Sequence, residues 1–573
     1  MIRLTELKLP LDHEPDALPA LIAKTLGVAA KDIIGHTVFK RSIDARKATL
    51  VQVYIADLEL AGALEASVLK RFAGNPHIFA APDMRYRLVA QAPQNLVLRP
   101  VVVGFGPCGI FAALILAQMG FRPIVLERGK TVRERSLDTW GLWRKRELNP
   151  ESNVQFGEGG AGTFSDGKLY SQIKDPRYLG RKVMQEFVKA GAPPEILVDA
   201  HPHIGTFKLV KVVENLREQI IALGGEIRFC QRVTDVLIEG GADDRALRGL
   251  TVLNQATGES YELRANHVVL ALGHSSRDTF GMLYQRGVAM QAKPFSIGFR
   301  IEHPQSVIDR ARWGRHAGHP KLGAANYKLV HHAGNGRSVY SFCMCPGGTV
   351  VAATSEIGRV VTNGMSQYSR NERNANAAIV VGIEPVDYPS DAASFHATLG
   401  EHVPCQITGG MTHHPLAGIV LQRQLESNAF VLGGANYDAP GQLVGDFLAG
   451  RASNQLGGVE PSYKPGVLLG DLRPALPAYA TNAMREALPA FAHKIKGFDM
   501  PDAVLTGVET RTSSPLKMPR GEDLQSSNTR GLYPAGEGAS YAGGILSAGV
   551  DGIKVAEALA RNMLTLRGAI SRF

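Results

Sequence analysis

Short apolar runs, separated by glycines and polar breaks, predict alternating strands and helices through the middle of the chain and at its end. Val101 to Val103 form a β-branched run typical of a buried parallel strand. A helical pattern follows and stops at Gly120, a suitable left-handed terminator. Further elements of this kind are a helix over 209–223 and strands over 123–126, 226–229, 268–272 and 531–535. This alternation predicts an α/β fold with a parallel sheet.

The first 95 residues lack this regular alternation and predict a separate small α+β domain. Helical and strand patterns are mixed there: helices over 18–26 and 65–72, and strands over 32–39, 50–55 and 86–90. Gly27 is placed to end the first of these helices.

Three glycines follow the strand at 101–103 in the spacing G-x-G-x-x-G: Gly104, Gly106 and Gly109. The first permits a tight turn, the second leaves room for a pyrophosphate, and the third lets the next helix lie close to the strand. Pro107 suits the first helical position, and Cys108 is expected to pack beside it. A phosphate there would meet free backbone N–H groups and the positive end of the helix dipole.

An acidic residue ends the second strand of this unit. Glu127 lies where a carboxylate can accept the hydroxyls of an adenosine ribose, and Arg128 beside it is expected to contact the same ligand. A glycine-rich turn also occurs without any ligand, so a purely structural β-α-β unit is the alternative. The agreement of strands, glycines, helix and acidic end favours a dinucleotide.

A second glycine-rich segment near the C-terminus distinguishes FAD from NAD. Gly536, Glu537 and Gly543 lead into a helix that starts near Gly544, and Ile545 is a further expected cofactor contact. A backbone without side chains can approach a flat ring closely, and a helix N-terminus favours the anionic edge of a reduced flavin. FAD is therefore the predicted cofactor, and an ordinary loop before an amphipathic helix is the alternative.

Several further motifs, taken together with these two, resemble a known family. They are GFGPCG at Gly104, QFGEGGAGTFSDGKL at Gln155, HIGT at His203, VVLALGHSSRDTF at Val268, SFCMCPGGTVVAATSE at Ser341, VTNGMS at Val361, VGDFL at Val444 and LYPAGEGASYAGGI at Leu532. The chain resembles the bacterial FAD-dependent dehydrogenases, or NAD(FAD)-utilising dehydrogenases, which have the glutathione-reductase-like FAD fold. The resemblance runs from the N-terminus to the C-terminus. It implies a fold and a cofactor, and it brings no settled substrate.

The resemblance supports further cofactor contacts in the glycine, serine and threonine loop at 157–169, which would wrap the ribityl chain and flavin ring. The contacts expected from this loop are Gly159, Gly160, Ala161, Gly162, Thr163, Ser165 and Lys168. A flexible surface loop is the alternative. Val233 is expected to line the adenine, and Ala271 and Gly273 to return the chain to the cofactor. Glu537 stands where FAD proteins commonly have an aspartate that contacts the ribityl-phosphate region. Whether the longer glutamate makes the same contact is left open by the sequence.

These assignments predict a Rossmann-type FAD-binding domain that is discontinuous in sequence. Its two parts are 96–280 and 501–573, and an α+β substrate domain over 281–500 is inserted between them. The small N-terminal domain over 1–95 precedes all three.

Composition and charge limit the partners. The net charge of +10 is spread without a long basic run, so nucleic acid is not a favoured partner. The N-terminus has no signal-peptide pattern, and no apolar stretch is long enough to span a membrane. Five cysteines fit a reducing compartment, and the cytoplasm is the expected location.

Other reactive residues are less informative. Cys343 and Cys345 could form a redox or ligand pair, but structural cysteines are favoured, and no metal site is predicted. His274 follows Gly273 near the expected flavin, without an assigned catalytic role. The arginine-rich stretch over 133–146 predicts a solvated helix face, from which Arg133 could reach a phosphate.

The predicted activity is that of an FAD-dependent oxidoreductase that transfers hydride equivalents between the flavin and an organic substrate. Among the glutathione-reductase-like FAD proteins, the family is particularly similar in fold to the aromatic hydroxylase and geranylgeranyl reductase branch. That branch suggests, by analogy alone, an apolar substrate. No second dinucleotide motif is present, so NAD(P)H or another carrier would dock transiently. Two alternatives remain: a flavin-binding redox sensor or assembly protein with little turnover, and a flavoprotein that acts on RNA.

Overall fold

The structure is a computed structural model that describes residues 1–46, 49–241, 244–400, 403 and 411–570. The first elements form a four-stranded antiparallel sheet in the order β2-β3-β1-β4, which two helices cover on one side. Their bounds are β1 Ile2–Pro10, α1 Ala17–Leu26, β2 Ile33–Asp44, β3 Val51–Leu60, α2 Leu64–Arg71 and β4 Ile78–Ala80.

The N-terminal domain follows most of its predicted pattern. Gly27 ends α1 with a left-handed φ of 60°, as its position predicts. The strand expected over 86–90 is wrong, because that segment is irregular and packs against the next domain. The hydroxyl of Tyr86 donates to a carboxylate oxygen of Glu557 at 3.0 Å, and Val89 and Ala90 contact the same core. Residues that pack on a neighbouring domain are apolar, and so are the residues of a buried strand. The apolar pattern over 86–90 therefore fits both structures.

A five-stranded parallel sheet follows, in the order β23-β11-β5-β6-β7. It is flanked by helices and by a three-stranded antiparallel sheet in the order β10-β9-β8. The elements of this region are β5 Val101–Val103, α3 Pro107–Gln118, β6 Ile124–Leu126, α4 Val132–Lys145, α5 Leu179–Lys189, α6 Thr206–Ala222, β7 Glu226–Arg228, β8 Gln231–Glu239, β9 Ala246–Asn254, β10 Glu259–Arg264, β11 Val268–Leu270 and α7 Arg277–Gln285. The sheet is completed by β23 (Leu532–Pro534), which comes from the far end of the chain, and the predicted α/β fold class is confirmed.

A seven-stranded sheet forms the second large core, in the order β14-β15-β18-β13-β21-β19-β20. Two two-stranded sheets, β12-β22 and β16-β17, lie beside it. The remaining elements are β12 Gln291–Ala292, β13 Phe295–Pro304, α8 Gln305–Trp313, β14 Val330–His332, β15 Ser338–Cys345, β16 Gly348–Ala352, β17 Thr362–Ser366, β18 Asn374–Ile383, α9 Ala392–Leu399, α10 Ala417–Leu432, β19 Ala439–Leu443, α11 Val444–Ala449, β20 Val467–Leu469, α12 Ala478–Ala492, β21 Val504–Glu509, β22 Leu516–Lys517, β23 Leu532–Pro534 and α13 Ile545–Ile570.

Strand β21 follows residue 501, where the second part of the FAD-binding domain was expected to begin, yet it belongs to the seven-stranded sheet. β21 pairs with β13 along Gly298 to Glu302, so it extends the seven-stranded sheet and takes no part in the parallel one. The chain returns to the parallel sheet only with β23. A sequence pattern cannot distinguish these cases, because an apolar strand fits either core.

The two ends of the parallel region meet through a close helix contact. A Cβ added to Gly552 of α13 would lie 2.3 Å from the carbonyl oxygen of Cys108 on α3. Only glycine therefore lets α13 approach α3 this closely. The contact brings the distal glycine-rich segment beside the first one.

Candidate functional site

The carboxyl ends of the parallel strands open into a cavity of about 1210 Å³. Parallel strands end at the same edge of a sheet, so Gly104, Glu127, Ala271 and Gly536 converge there, and ligands of open α/β sheets bind at this edge. The volume exceeds the roughly 300 to 1,000 Å³ of an ordinary small-molecule site. The cavity therefore has room for an extended ligand.

Most of the residues predicted to bind the cofactor line this cavity. They are Gly104, Gly106, Pro107, Cys108, Glu127, Arg128, Gly160, Ala161, Gly162, Ser165, Lys168, Val233, Ala271, Gly273, Gly536, Glu537, Gly543, Gly544 and Ile545. The three others, Gly109, Gly159 and Thr163, lie behind the cavity wall. A Cβ at Gly159 would clash with the hydroxyl of Thr163 at 2.1 Å, so these two residues pack on each other.

Three glycine-rich segments touch one another around the cavity. A Cβ at Gly160 would lie 2.9 Å from the Cα of Gly106, and one at Gly162 would lie 3.1 Å from the side chain of Ile545. The loop at 157–169 therefore bridges the first motif and the distal one. It is an ordered part of the wall, with a 3₁₀ turn over Ala161–Phe164.

The glycines fall into two groups by what surrounds them. A Cβ at Gly104 would lie 2.3 Å from the carbonyl oxygen of Ala271, and one at Gly109 would lie 1.9 Å from that of Gly104. The protein backbone itself excludes a side chain at these two positions.

The other glycines face open space. No protein atom lies within 4 Å of a Cβ at Gly273, Gly543 or Gly544, and the nearest to one at Gly106 is at an ordinary 3.6 Å. Side chains here would project where a ligand is expected, which is the fit that an FAD site requires.

Glu127 is more heavily used by the protein than its predicted ribose contact implies. Its buried carboxylate accepts backbone N–H bonds from Phe105, Gly129 and Gly157 at 2.8 to 2.9 Å. A carboxylate has about four lone-pair sites, so one is left for a ribose hydroxyl. Glu127 therefore holds the glycine turn and the loop at 157–169 together as well as lining the cavity.

Arg128 borders the same end of the cavity. Its guanidinium pairs with Glu151 and Asp278 and lies 4.2 Å from the ring centroid of Phe156. These contacts fix its position, and Val233 lies nearby on the wall. The planar Arg128–Phe156 stack and the strand at Val233 provide surfaces suited to an adenosine.

The expected solvated face over 133–146 is wrong for Arg135. This side chain is fully buried, and its guanidinium donates to the carbonyls of Asn153, Val154, Gly157 and Glu158. It thereby anchors the loop at 157–169 from behind. Alternating charges are typical of both exposed and carbonyl-binding helix faces, so sequence does not separate them. Arg133 instead pairs with Glu214, away from the cavity lining.

A buried ionic cluster lies behind the cavity wall near Gly273 and His274. Glu426 lies between Arg277 and Arg511, and all three side chains are almost fully buried. Arg511 also donates to the hydroxyl of Ser275, which lies 3.2 Å from Nδ1 of His274. Burial, followed by the charges of Arg511 and Arg277, lowers the pKa of His274 to about 3. His274 is therefore neutral at physiological pH.

Two carboxyl groups on the cavity wall, those of Glu537 and Glu509, each have a raised pKa. Burial raises the pKa of Glu537 to about 7, and Lys293 opposes the shift. Burial likewise raises the pKa of Glu509 to about 7, although Arg300 donates to it at 2.9 Å. Groups that titrate near neutral pH can exchange protons with a bound molecule.

Most residues that line the far part of the cavity were not singled out in the sequence. Polar and charged side chains from the seven-stranded region predominate there: Arg312, Asn326, Tyr327, Lys328, Tyr340, Ser341, Asn363, Lys494 and Thr512. Ser341 and Asn363 belong to the motifs SFCMCPGG and VTNGMS, of which the first also carries Cys343 and Cys345. The other residues come from distant segments and follow no motif.

Comparison with known proteins places the chain in a family. Residues 294–512 match a family model described as "FAD-dependent protein, C-terminal domain-like", and residues 1–59 match a domain of unknown function. A protein from Clostridium beijerinckii, described as uncharacterized, is 45% identical over 558 residues, which cover 97% of this chain and 98% of that protein. The chain belongs to the bacterial FAD-dependent dehydrogenase family. FAD is the cofactor, and the chain is an FAD-dependent oxidoreductase.

Solved structures give weaker similarities. Glycine oxidase from Geobacillus kaustophilus is 12% identical, with a TM-score of 0.32 and coverage of 81% of this chain and 95% of that one. A 3-ketosteroid dehydrogenase from Rhodococcus jostii RHA1 is 12% identical, with a TM-score of 0.33 and coverage of 82% and 99%. Glycerol-3-phosphate dehydrogenase from Bacillus halodurans, solved with FAD, is 12% identical, with a TM-score of 0.25 and coverage of 50% and 47%. At these TM-scores the similarities carry no inference about this chain.

The glycine-lined part of the cavity has the open backbone positions that an FAD site requires, at Gly106, Gly273, Gly543 and Gly544. These positions stay the predicted path of the cofactor. Within the part of the chain that the structure describes, no helix combines the length and the apolar character that a bilayer crossing requires.

Proposed function

We propose that this flavoprotein transfers a hydride between FAD and a small polar organic substrate in the far part of the cavity. The observation that carries the proposal is the continuity of one cavity, from the glycine-lined end to the polar wall around Tyr340. When bound, FAD supplies the two-electron chemistry. The protein's own residues bind and orient the substrate and move protons.

The polar wall favours a different substrate class from the apolar one expected by analogy. Arg312, Lys328 and Lys494 lie at the cavity, together with amide and hydroxyl groups of Asn326 and Tyr340. Burying a wholly apolar molecule against these groups would leave polar atoms without partners, which is costly. A substrate with carbonyl, carboxylate or hydroxyl groups fits better.

Glu537 is suited to exchange a proton during this reaction. Its pKa near 7 means that both protonation states are populated at neutral pH. His274 has its Nε2 3.8 Å from the Glu537 carboxylate and stays neutral, so it does not hold Glu537 in the ionised state.

The location and electron donor are also proposals. The cytoplasm suits a chain whose described cysteines, Cys108, Cys230, Cys343 and Cys345, are free thiols. NADH, NADPH or another reduced carrier would bind transiently at the same cavity mouth.

An anaerobic half-reaction experiment tests the proposed function. The holoenzyme is mixed with NADH or NADPH, and flavin absorbance is followed; the reduced enzyme is then offered polar and apolar acceptors. We expect bleaching by a nicotinamide donor and reoxidation by polar acceptors. Bleaching by dithionite alone would favour the redox-sensor alternative.

A pair of variants on one helix sharpens the test. Arg312 and Arg310 are both exposed on α8, but only Arg312 lines the cavity. Arg312→Gln is expected to raise KM for a polar acceptor several-fold, while Arg310→Gln leaves it unchanged. Equal effects of the two variants would contradict a substrate site at this wall.

A further inference from the structure

The C-x-C pair in the cavity wall is the chemical feature that the proposed function leaves unused. Cys343 and Cys345 end β15, and Cys343 lines the cavity that Glu537 and Gly544 also line. Cys345 is fully buried behind it. A cysteine that faces the flavin-binding cavity, with a second one two residues away, is placed for redox chemistry.

The backbone at this pair departs from a regular strand. Pairing of β15 with β18 shifts register between Phe342 and Cys345, and Cys343 has a left-handed φ of 43°. A non-glycine residue in this region costs free energy, of order 1–3 kcal/mol, and such residues cluster at functional sites. The bend turns the Cys345 side chain back, so that its Sγ donates to the Cys343 carbonyl at 3.4 Å. The Cys345 thiol therefore lies against the backbone of Cys343.

Two cations lie beside the pair. Arg300 donates to the Cys343 carbonyl at 2.9 Å, and the Lys168 ammonium donates to the carbonyl of Met344 between the two cysteines. Contact with Cys345, together with the charges of Lys168 and Arg300, lowers the pKa of the Cys343 thiol well below its usual range. Contact with Cys343, together with burial, raises the pKa of Cys345. The two shifts have opposite signs, so Cys343 is the thiol of the pair that ionises more readily, and a thiolate is the reactive form of a cysteine.

We propose that Cys343 and Cys345 form a dithiol/disulfide couple that exchanges two electrons with the bound flavin. In the oxidising direction, the Cys343 thiolate and the Cys345 thiol lose two electrons as the S–S bond forms. The thiol proton and both electrons pass to oxidised FAD, which becomes the anionic reduced flavin, so atoms and charge balance. The reverse reaction restores thiolate and thiol. The bridge closes a small ring and is therefore a labile disulfide, suited to exchange and poorly suited to structural support.

The first test counts thiols in the holoenzyme. The chain has five cysteines. Aerobically oxidised holoenzyme is quenched in denaturant with iodoacetamide and analysed by mass; a second sample is first photoreduced with EDTA and light, which reduces the flavin directly. We expect three alkylated cysteines before photoreduction and five after it, with the protected pair in the peptide that contains Cys343 and Cys345. Five alkylated cysteines in the oxidised wild type would overturn the proposal.

The second test counts electrons. Anaerobic titration with dithionite should consume four electrons per bound FAD in the wild type and two in Cys343→Ser or Cys345→Ser. Cys230→Ser is the matched control, because Cys230 is also a free cysteine but lies outside the cavity lining, and it should still take four. Two electrons in the wild type would contradict the couple.

The two tests give an answer even if one variant does not fold, and neither requires turnover of an organic substrate. If the buried Cys345→Ser variant does not fold, the half-exposed Cys343→Ser and the wild-type thiol count still decide the question. The inference rests on bound FAD and needs no organic substrate. Failure of the acceptor reaction would therefore leave the expected thiol and electron counts unchanged.

Discussion

The two ends of the cavity are built from different parts of the polypeptide. One end, where we expect the nucleotide, is lined mainly by backbone: glycines at 104, 106, 160 and 544 would bring amide groups to the ligand and keep side chains out of its path. The far end is lined mainly by side chains, such as Arg312, Lys328 and Tyr340, from separate segments of the seven-stranded region. A backbone-lined end selects by shape and a side-chain-lined end selects by chemical group. We therefore expect substitutions at the two ends to fail in different ways.

The largest effect is expected where a glycine is required by the protein itself. Gly109→Ala would put a Cβ 1.9 Å from a backbone oxygen, so α3 or β5 must move. We expect a loss of at least about 4 kcal/mol in the free energy of unfolding, measured by chemical denaturation. Gly281→Ala is the control, because no atom lies within 4 Å of its added Cβ. Equal stabilities of the two variants would show that the glycine turn is not as tight as described.

The next effect concerns the buried ionic cluster behind the cavity wall. Glu426→Gln removes the charge that Arg277 and Arg511 share, and leaves two buried cations without it. Breaking a buried pair in this way costs about 3 kcal/mol or more. The variant should unfold at lower denaturant concentration and show a perturbed flavin spectrum. Glu239→Gln, which breaks an exposed ion pair with Arg248, should change neither.

A smaller, pH-dependent effect is expected at Glu537. Its pKa rises from 4.5 to about 7 on folding, so the folded state holds the proton more tightly than the unfolded state between these values. The stability that this group contributes is therefore fully present below about pH 4.5 and is lost as pH rises through 7. Glu537→Gln cannot ionise and avoids that loss.

Thermal unfolding measures this difference. The melting temperature of Glu537→Gln minus that of the wild type, both with saturating FAD, should increase from pH 5 to pH 8. A difference that stays constant or decreases over this range would contradict a raised pKa at Glu537.

The smallest effect is expected at the side-chain end. Lys328→Gln changes an exposed residue at the cavity mouth, and we expect a stability within about 0.5 kcal/mol of the wild type and an unchanged ratio of flavin to protein. Loss of flavin from this variant would show that the far end also holds the cofactor, and the distinction between the two ends would fail.

The same difference explains what could be predicted from sequence. Glycine spacing after a β-branched run encodes a backbone shape locally, so Gly104, Gly106 and the distal Gly544 were identified without knowledge of the fold. The roles of Arg511, Tyr340 and Lys328 depend on where distant strands meet, and no local pattern carries that information. Arg135 shows that sequence does not predict burial even within one helix. A buried arginine that donates to carbonyls has the same sequence pattern as a solvated one.

Glu127 and β21 illustrate two further limits. The position of Glu127 at the strand end predicted a carboxylate at the cavity, but its three backbone partners include Gly157, which belongs to a loop 30 residues later. β21 has the apolar pattern of any buried strand, and its partner β13 lies about 200 residues earlier in the chain. Long-range pairing therefore decides details that composition and periodicity leave open.

The flavin content of Gly106→Val, compared with that of Gly281→Val, tests the central claim most directly. Gly106 has an extended backbone that any residue adopts, and its Cβ makes only an ordinary contact with Gly160, so the protein tolerates a side chain that the pyrophosphate path does not. We predict that purified Gly106→Val is folded by circular dichroism and colourless, while Gly281→Val carries about one FAD per chain. A folded Gly106→Val that retains stoichiometric FAD would contradict the placement of the cofactor along the glycine-lined end.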